Sequence, residues 1–311
     1  MNKKPNFFNK ESIFKYLFLA SSLVVVFFFI MIFGMLLIRS FPAMARDPLM
    51  IFGSTWDVEA GIFGAAPAII GTLVSSSIAI LFAVPISLAI AVFFTEYAPS
   101  QIRTGLSVVI DMLATIPSVI FGIWGLWIVA PLMKTFVQEP ISGSLGFIPI
   151  FSGPAYGLSL LLASVILTFM IVPIITSISI SLLSSTPVEL REAMISLGAT
   201  RWEVVRHVAL PFSKLGIFAA VMLALGRALG ETMAVTMVIG NSFMWPFSSI
   251  SIFSPASTLT SKIASELYEA IDPFHVSSLI ELGFLLLMIT LSVNSLARLI
   301  VSRYSQRRYG T

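Results

Sequence analysis

Six stretches of this chain stay almost wholly apolar for twenty or so residues, and nothing else in it limits the possible folds so strongly. They are residues 16–38, 69–94, 105–133, 157–183, 216–240 and 276–300. About 20 apolar residues of helix cross the hydrocarbon of a bilayer. There each backbone N–H and C=O must be bonded inside its own segment, which leaves the helix as the form for such runs. Only 11% of residues are charged and 57% are hydrophobic, where a soluble domain carries about 25% charged. The fold class expected is an all-α membrane protein with six transmembrane helices. Residues 1–15 are then an N-terminal segment, 16–38 the first transmembrane helix, 39–68 an external loop, 69–300 a core of five helices with the 184–215 connection inside it, and 301–311 a tail.

The basic residues orient this arrangement. Twelve Lys and Arg fall before the first run, in 95–104, in 184–215 and after the last run, against three (Arg46, Lys134 and Lys262) in the other connections. Lys and Arg collect on the cytoplasmic side of membrane proteins, so both termini are expected in the cytoplasm. The net charge of +3 is accounted for by this topology, and no nucleic-acid partner is expected; membrane lipid is. The chain has no cysteine and two distant histidines, His207 and His275, so disulfides and thiolate sites are excluded and no metal site is expected. The first run is longer than the about 7–15 residues of a signal-peptide core and reads as a retained helix.

Four ionisable residues fall inside the apolar runs: Asp111, Arg227, Glu231 and Glu281. A charge at mid-membrane costs about 2.5–3.5 kcal/mol or more, so such residues face a bundle interior or a wet path. Asp111 and Glu281 lie nearer run ends and are expected to be paired or interfacial. Arg227 and Glu231 are four apart, which on a helix puts them on one face within pairing distance. Gly226 and Gly230, just before them, form a GxxxG step at which another helix can approach. Mutual neutralisation and an outlook onto an interhelical space are both consistent with the pair. The arginine fork matches a tetrahedral oxyanion, donating two parallel hydrogen bonds and keeping its proton. In the 105–133 run Pro117 frees the Leu113 carbonyl, beside the hydroxyls of Thr115 and Ser118; an ordinary proline kink and a polar path both fit.

The connection SSTPVELREAMISLGATRWEVVRHVALPFSKL (184–215) is too patterned for a linker. Thr186, Pro187 and Glu189 predict a helix starting at Pro187. Gly198 can take the left-handed conformation that ends it. Thr200 with Glu203 has capping-box spacing for a second helix, which stops before Pro211. An amphipathic pair in lipid headgroups and a docking surface for a cytoplasmic partner remain open at this point.

Glu192-Ala193-Met194, Gly198 and Val208-x-Leu210-Pro211 resemble the EAA loop of ABC-importer permeases, with Met194 and Val208 as mild apolar departures. In that family the short helix sits in a groove of an ATPase subunit, so the resemblance implies ATPase coupling by Glu192, Ala193, Gly198, Leu210 and Pro211. The chain has no GxxxxGK[ST] phosphate loop. It is therefore not expected to be an enzyme, and it holds no cofactor of its own: ATP and Mg belong to partner ATPase subunits.

ALGRALGETMAVTMVIGN (224–241), FGAAPAIIGTL (63–73), AVPISLAIAVFFTEYAP (83–99) and DMLATIPSVIFGIWGLW (111–127) resemble the PstC-type permease family of phosphate ABC importers. Met233 and Ala234 stand where the sister permease reads GETAP. The resemblance implies a type I ABC-importer (MetI-like) architecture in the bacterial inner membrane and inorganic phosphate as substrate. It also implies a second permease of the PstA type, a dimer of PstB-type ATPases and an external PstS-type binding protein as partners. Arg227 and Glu231 become the leading substrate-pathway residues, and Thr115 and Ser118 the secondary ones. Alternatives are another oxyanion (molybdate, sulfate or tungstate), an ATP-independent secondary transporter or channel, or a regulatory or assembly subunit.

Overall fold

The computed structural model describes residues 7–309 except 244 and 248. The far ends of the expected N-terminal segment and tail, 1–6 and 310–311, lie outside the described residues. Ten helices are followed below: α1 (Phe7–Arg46), α2 (Ala66–Tyr97), α3 (Ser100–Thr115), α4 (Ser118–Leu145), α5 (Leu160–Ser184), α6 (Val188–Ser196), α7 (Arg201–Leu229), α8 (Met233–Val238), α9 (Leu259–Glu266) and α10 (Pro273–Tyr309). Six of these, α1, α2, α4, α5, α7 and α10, are long and apolar enough to cross a membrane. Both outer helices run past the expected bounds, so most of the 1–15 segment and the 301–311 tail is helical rather than separate.

Two runs differ in kind from expectation. The 105–133 run is not one kinked helix: Ile116 (ψ 126°) and Pro117 (ψ 139°) are extended, so the chain breaks between α3 and α4. Proline disfavours helical backbone in the residue before it, and that is where α3 ends. In compensation α4 continues to Leu145, through what was expected to be an external connection. The 216–240 run breaks at Gly230, and its helix starts instead at Arg201.

Prolines that should have stopped helices are absorbed by a recurring device. Wide turns at Gly125–Val129, Lys134–Gln138 and Val205–Ala209 precede Pro131, Pro140 and Pro211. In each the residue just before the proline donates its N–H to the carbonyl five back: Ala130 to Gly125, Glu139 to Lys134, Leu210 to Val205. A proline in a regular helix lacks an N–H and its ring strikes the carbonyl four back; widening one turn moves that carbonyl aside. The same turn at Phe93–Tyr97, before Pro99, closes α2. This is why the second loop helix, expected to stop before Pro211, runs on as α7.

α5 is the central element: 61% of its most apolar window is buried in the chain, against none of that of α1. Lipid is as apolar as leucine, so helices here associate through close packing and hydrogen bonds rather than hydrophobic transfer. Accordingly α2 meets α5 through small residues, Ala79, Ala83 and Ala163, all fully buried. Ser87 Oγ donates to the Val172 carbonyl (3.1 Å) and Thr168 Oγ1 to the Ala79 carbonyl (3.3 Å), across that interface. α1 packs on α10 at the edge.

At the end away from α6, a hairpin (β1 Trp56–Asp57, β2 Ile62–Phe63) lies against α9 and the start of α10. Glu266 organises it. Its carboxylate accepts hydrogen bonds from Trp56 Nε1 (2.8 Å) and His275 Nε2 (3.0 Å) and pairs with Lys262. The His275 ring stacks on Phe63, 5.3 Å between centroids. Burial alone pushes the Glu266 carboxyl up, but the hydrogen bonds and charge from Lys262, with those from His275 and Trp56, outweigh it and hold it below the usual carboxylate value.

Candidate functional site

The segment around Arg227 is built by the break between α7 and α8. Gly230 ends α7, its N–H on the Gly226 carbonyl (3.3 Å). Arg227 is therefore in the last helical turn, exposed, and has no hydrogen-bond or ion-pair partner among the described residues. Glu231 lies past the break and turns inward: it is 9% exposed. Its Oε1 accepts from the Ala234 N–H (3.4 Å) at the start of α8, and its carbonyl accepts from Thr260 Oγ1 (2.8 Å). The expected Arg227–Glu231 pair on one helix face is thus corrected. A four-residue spacing brings side chains together only on continuous helix, and glycine followed by a residue able to cap the next helix interrupts it.

The glycine step is open within this chain. A methyl group added at Gly226 meets no atom within 4 Å, and at Gly230 only the Gly226 carbonyl oxygen at 3.6 Å. Among the described residues, no helix packs there. Between α4 and α8 the close approaches are at Gly122, whose added methyl would lie 3.1 Å from Ala234 Cα, and at Gly125, 2.8 Å from Val238 Cγ1. Contacts that advance together along both helices mean that α4 and α8 run side by side in the same direction. Ser118, one turn before Gly122, is thereby level with the Gly230–Thr232 break. α4 begins there with no side-chain cap, so its first N–H groups point toward that level, where a helix start favours negative charge.

Thr115 is placed less favourably. It ends α3, is exposed, and donates its hydroxyl to the Met112 carbonyl (2.8 Å). Asp111 is also exposed on α3. Glu281 overturns its expectation of pairing or interfacial placement: it is 2% exposed, and its Oε2 has no hydrogen-bond partner among the described residues.

A hydroxyl-rich segment missed in the sequence supports Glu231 from behind. Thr72 Oγ1 accepts from the Leu259 N–H (3.0 Å), and Thr258 and Thr260 are within 3.1 Å of each other through their hydroxyls. The signal was present as STLTS at 257–261, but nothing in it told that Glu231 would be its neighbour.

In the 184–215 loop the helix–glycine–helix expectation holds at Gly198, with φ +84°, and at the Thr200–Glu203 capping box, where the Thr200 N–H donates to Glu203 Oε2 (2.7 Å). It shifts at the first helix: Pro187 is extended and serves as N-cap, α6 begins at Val188, and the buried Thr186 hydroxyl caps nothing. Glu192, Ala193 and Gly198 are exposed, as are Val188, Ile195 and Leu197. Leu210 instead packs into a small cluster with Ala91, Leu183 and Ala209, and Pro211 is half-buried beside it. The loop thus presents one open helix and one anchored segment.

Residues 83–306 match the family described as binding-protein-dependent transport system inner membrane components. The chain is 40% identical over 316 residues to the phosphate transport system permease protein PstC of Haemophilus influenzae, covering 99% of each. It is 44% identical over 257 residues to PstC of Mesorhizobium japonicum, covering 81% of this chain and 78% of that one. Among solved structures, a bacterial alginate ABC transporter in complex with its periplasmic protein superposes with a TM-score of 0.58 at 18% identity, over 94% of this chain and 97% of that one. The inward-facing MetNI methionine ABC transporter gives 0.57 at 19%, over 76% and 94%. At such identities the likeness is one of fold: the architecture is that of type I ABC-importer permeases.

Proposed function

The chain belongs to the binding-protein-dependent transport inner membrane components, among the phosphate transport system permeases, and on that premise we propose that it moves inorganic phosphate inward past Arg227. It is a permease subunit of an ABC importer in the inner membrane, without an ATPase site of its own. The observation that carries the reading is the α7–α8 break. An arginine without a partner among the described residues stands one turn from an interrupted helix, and the uncapped start of α4 lies level with that break. Guanidinium and free helix-start N–H groups are the donors that suit a tetrahedral oxyanion. Ser118 adds a hydroxyl at the same level; Thr115 is a weaker candidate, its hydroxyl being turned onto its own helix. Glu231, held inward by its capping role, supplies a fixed negative charge behind the arginine and keeps the affinity low enough for release.

The partners follow the same premise. A PstA-type permease covers the open face over Gly226 and Gly230, an external PstS-type protein delivers phosphate, and a PstB-type ATPase dimer, binding ATP and Mg, receives α6 through Glu192, Ala193 and Gly198. The loop end of the bundle is then cytoplasmic, as are both termini.

The test is phosphate uptake into vesicles carrying the complete complex with Arg227→Ala. Arg227 is exposed and bonds to nothing among the described residues, so assembly should persist while uptake falls at least a hundredfold. Normal uptake would remove Arg227 from the pathway.

A further inference from the structure

α6 has no buried residue, so its side chains hold it to the bundle at few points. The strongest is Arg191, next to Glu192 but turned the other way. One Nη of its guanidinium pairs with Glu96 Oε1 and the other donates to the Leu183 carbonyl (2.6 Å). Arg201, the first residue of α7, donates to the Glu96 carbonyl (3.3 Å). The two paired side chains are largely covered, 19% exposed for Arg191 and 12% for Glu96.

Each partner sits where a helix ends. Glu96 lies in the wide turn Phe93–Tyr97 that closes α2, and Leu183 is in the last turn of α5, where its carbonyl also accepts from the Thr186 N–H (3.3 Å). α2 and α5 are the most intimately packed pair in the bundle and are joined by two interhelical hydrogen bonds. A guanidinium can hold a carboxylate and a carbonyl at once, in a fixed plane, where an ammonium holds them only as a point charge. Ala91, Leu183 and Ala209 pack together behind the contact, which leaves little slack between the ends of α2, α5 and α7.

We infer that Glu96 and Arg191 are positioning residues that transmit displacement of α6 to the α2–α5 pair, and so to the transport pathway. The inference rests on the reading that an ATPase subunit acts on α6. Pulling α6 moves a guanidinium that cannot leave Glu96 without stranding a covered charge, so the helix ends follow. Without the pair, α6 is joined to the bundle mainly through the chain on either side of it, which turns at Pro187 and Gly198, and its motion is absorbed there.

The experiment measures phosphate uptake and ATP hydrolysis together, in vesicles holding the complete complex, for Glu96→Gln, Arg191→Lys and the double variant. ATPase co-purifying with the permease is measured in each. The expected result is an intact complex, hydrolysis within about threefold of wild type, and uptake per ATP reduced at least tenfold by Glu96→Gln, with the double variant no worse. Arg191→Lys keeps the charge and gives up the second hydrogen bond, so it falls between Glu96→Gln and wild type. Three results would overturn the inference: uptake per ATP within twofold of wild type in Glu96→Gln, losses that multiply in the double variant, or loss of the ATPase from either single variant, which would make the pair a docking or folding element. If wild type itself shows no ATP-dependent uptake of phosphate, the functional premise fails instead.

Discussion

Gly71→Ala tests whether the hydroxyl-rich segment behind Glu231 is held as tightly as the structure has it. A methyl group at Gly71 would sit 2.0 Å from the Ser257 carbonyl oxygen. Carbon and oxygen tolerate about 3.3 Å, so one backbone must retreat by roughly 1.3 Å. There is nowhere to retreat: Ser257, Thr258, Leu259 and Ser261 are 1%, 3%, 0% and 0% exposed. The displacement breaks the Leu259 N–H bond to Thr72 and the Thr260 bond to Glu231. Each is worth about 1 kcal/mol, and overpacking adds about 1–3 kcal/mol. The sum, about 3–5 kcal/mol, is a factor of about 100 or more in the folding equilibrium. Thermal unfolding in detergent reads this as a lowered midpoint, and amide exchange reads it locally as faster exchange in 257–266. Gly34→Ala is the control, since a methyl there meets nothing within 4 Å and alanine favours helix by about 1 kcal/mol. A Gly71→Ala midpoint equal to wild type, with unchanged exchange in 257–266, would refute the reasoning.

Two further outcomes are expected. Glu266 has a carboxyl lowered in the folded chain, so its stabilising effect is complete above the ordinary carboxylate value and is lost as pH falls through the lowered one. Acid should therefore loosen the hairpin from α9, seen as a rise in Trp56 solvent accessibility by fluorescence quenching below about pH 4.5; Glu266→Gln should be loosened at neutral pH already, and a quenching profile identical to wild type would contradict the role given to Glu266. Glu281 buries an oxygen that has no partner among the described residues, and replacing it with leucine removes a penalty of about 1–3 kcal/mol, so Glu281→Leu should raise the unfolding midpoint; a lowered midpoint would show that the carboxyl is stabilising where it is.

The class of the molecule was legible because hydrocarbon permits so few solutions: runs of apolar length specify helices, and their basic flanks suggest a topology. Gly198 and the Thr200–Glu203 box were equally readable, since each acts within one turn of its own position. The errors cluster at proline and glycine. Pro211 looks like a helix stop and Pro140 lies beyond the expected end of its run, yet the wide turns before them let α7 and α4 continue, and those turns depend on bundle packing that local sequence does not display. Gly226 and Gly230 read as a packing step, but within this chain they stand open, and helices approach closely at other glycines such as Gly122, Gly125 and Gly216.

Local chemistry therefore determined that this chain crosses a membrane by helices, that it carries a capped loop between two of them, and that an arginine stands in an apolar run. Tertiary structure decided what the arginine faces. Whether Glu231 neutralises Arg227 or turns away from it depends on one break at Gly230, and on Thr260 waiting 29 residues later to hold the far side of that break. A contact between distant parts of the chain follows from how helices pack, and spacing along the sequence carries no record of it.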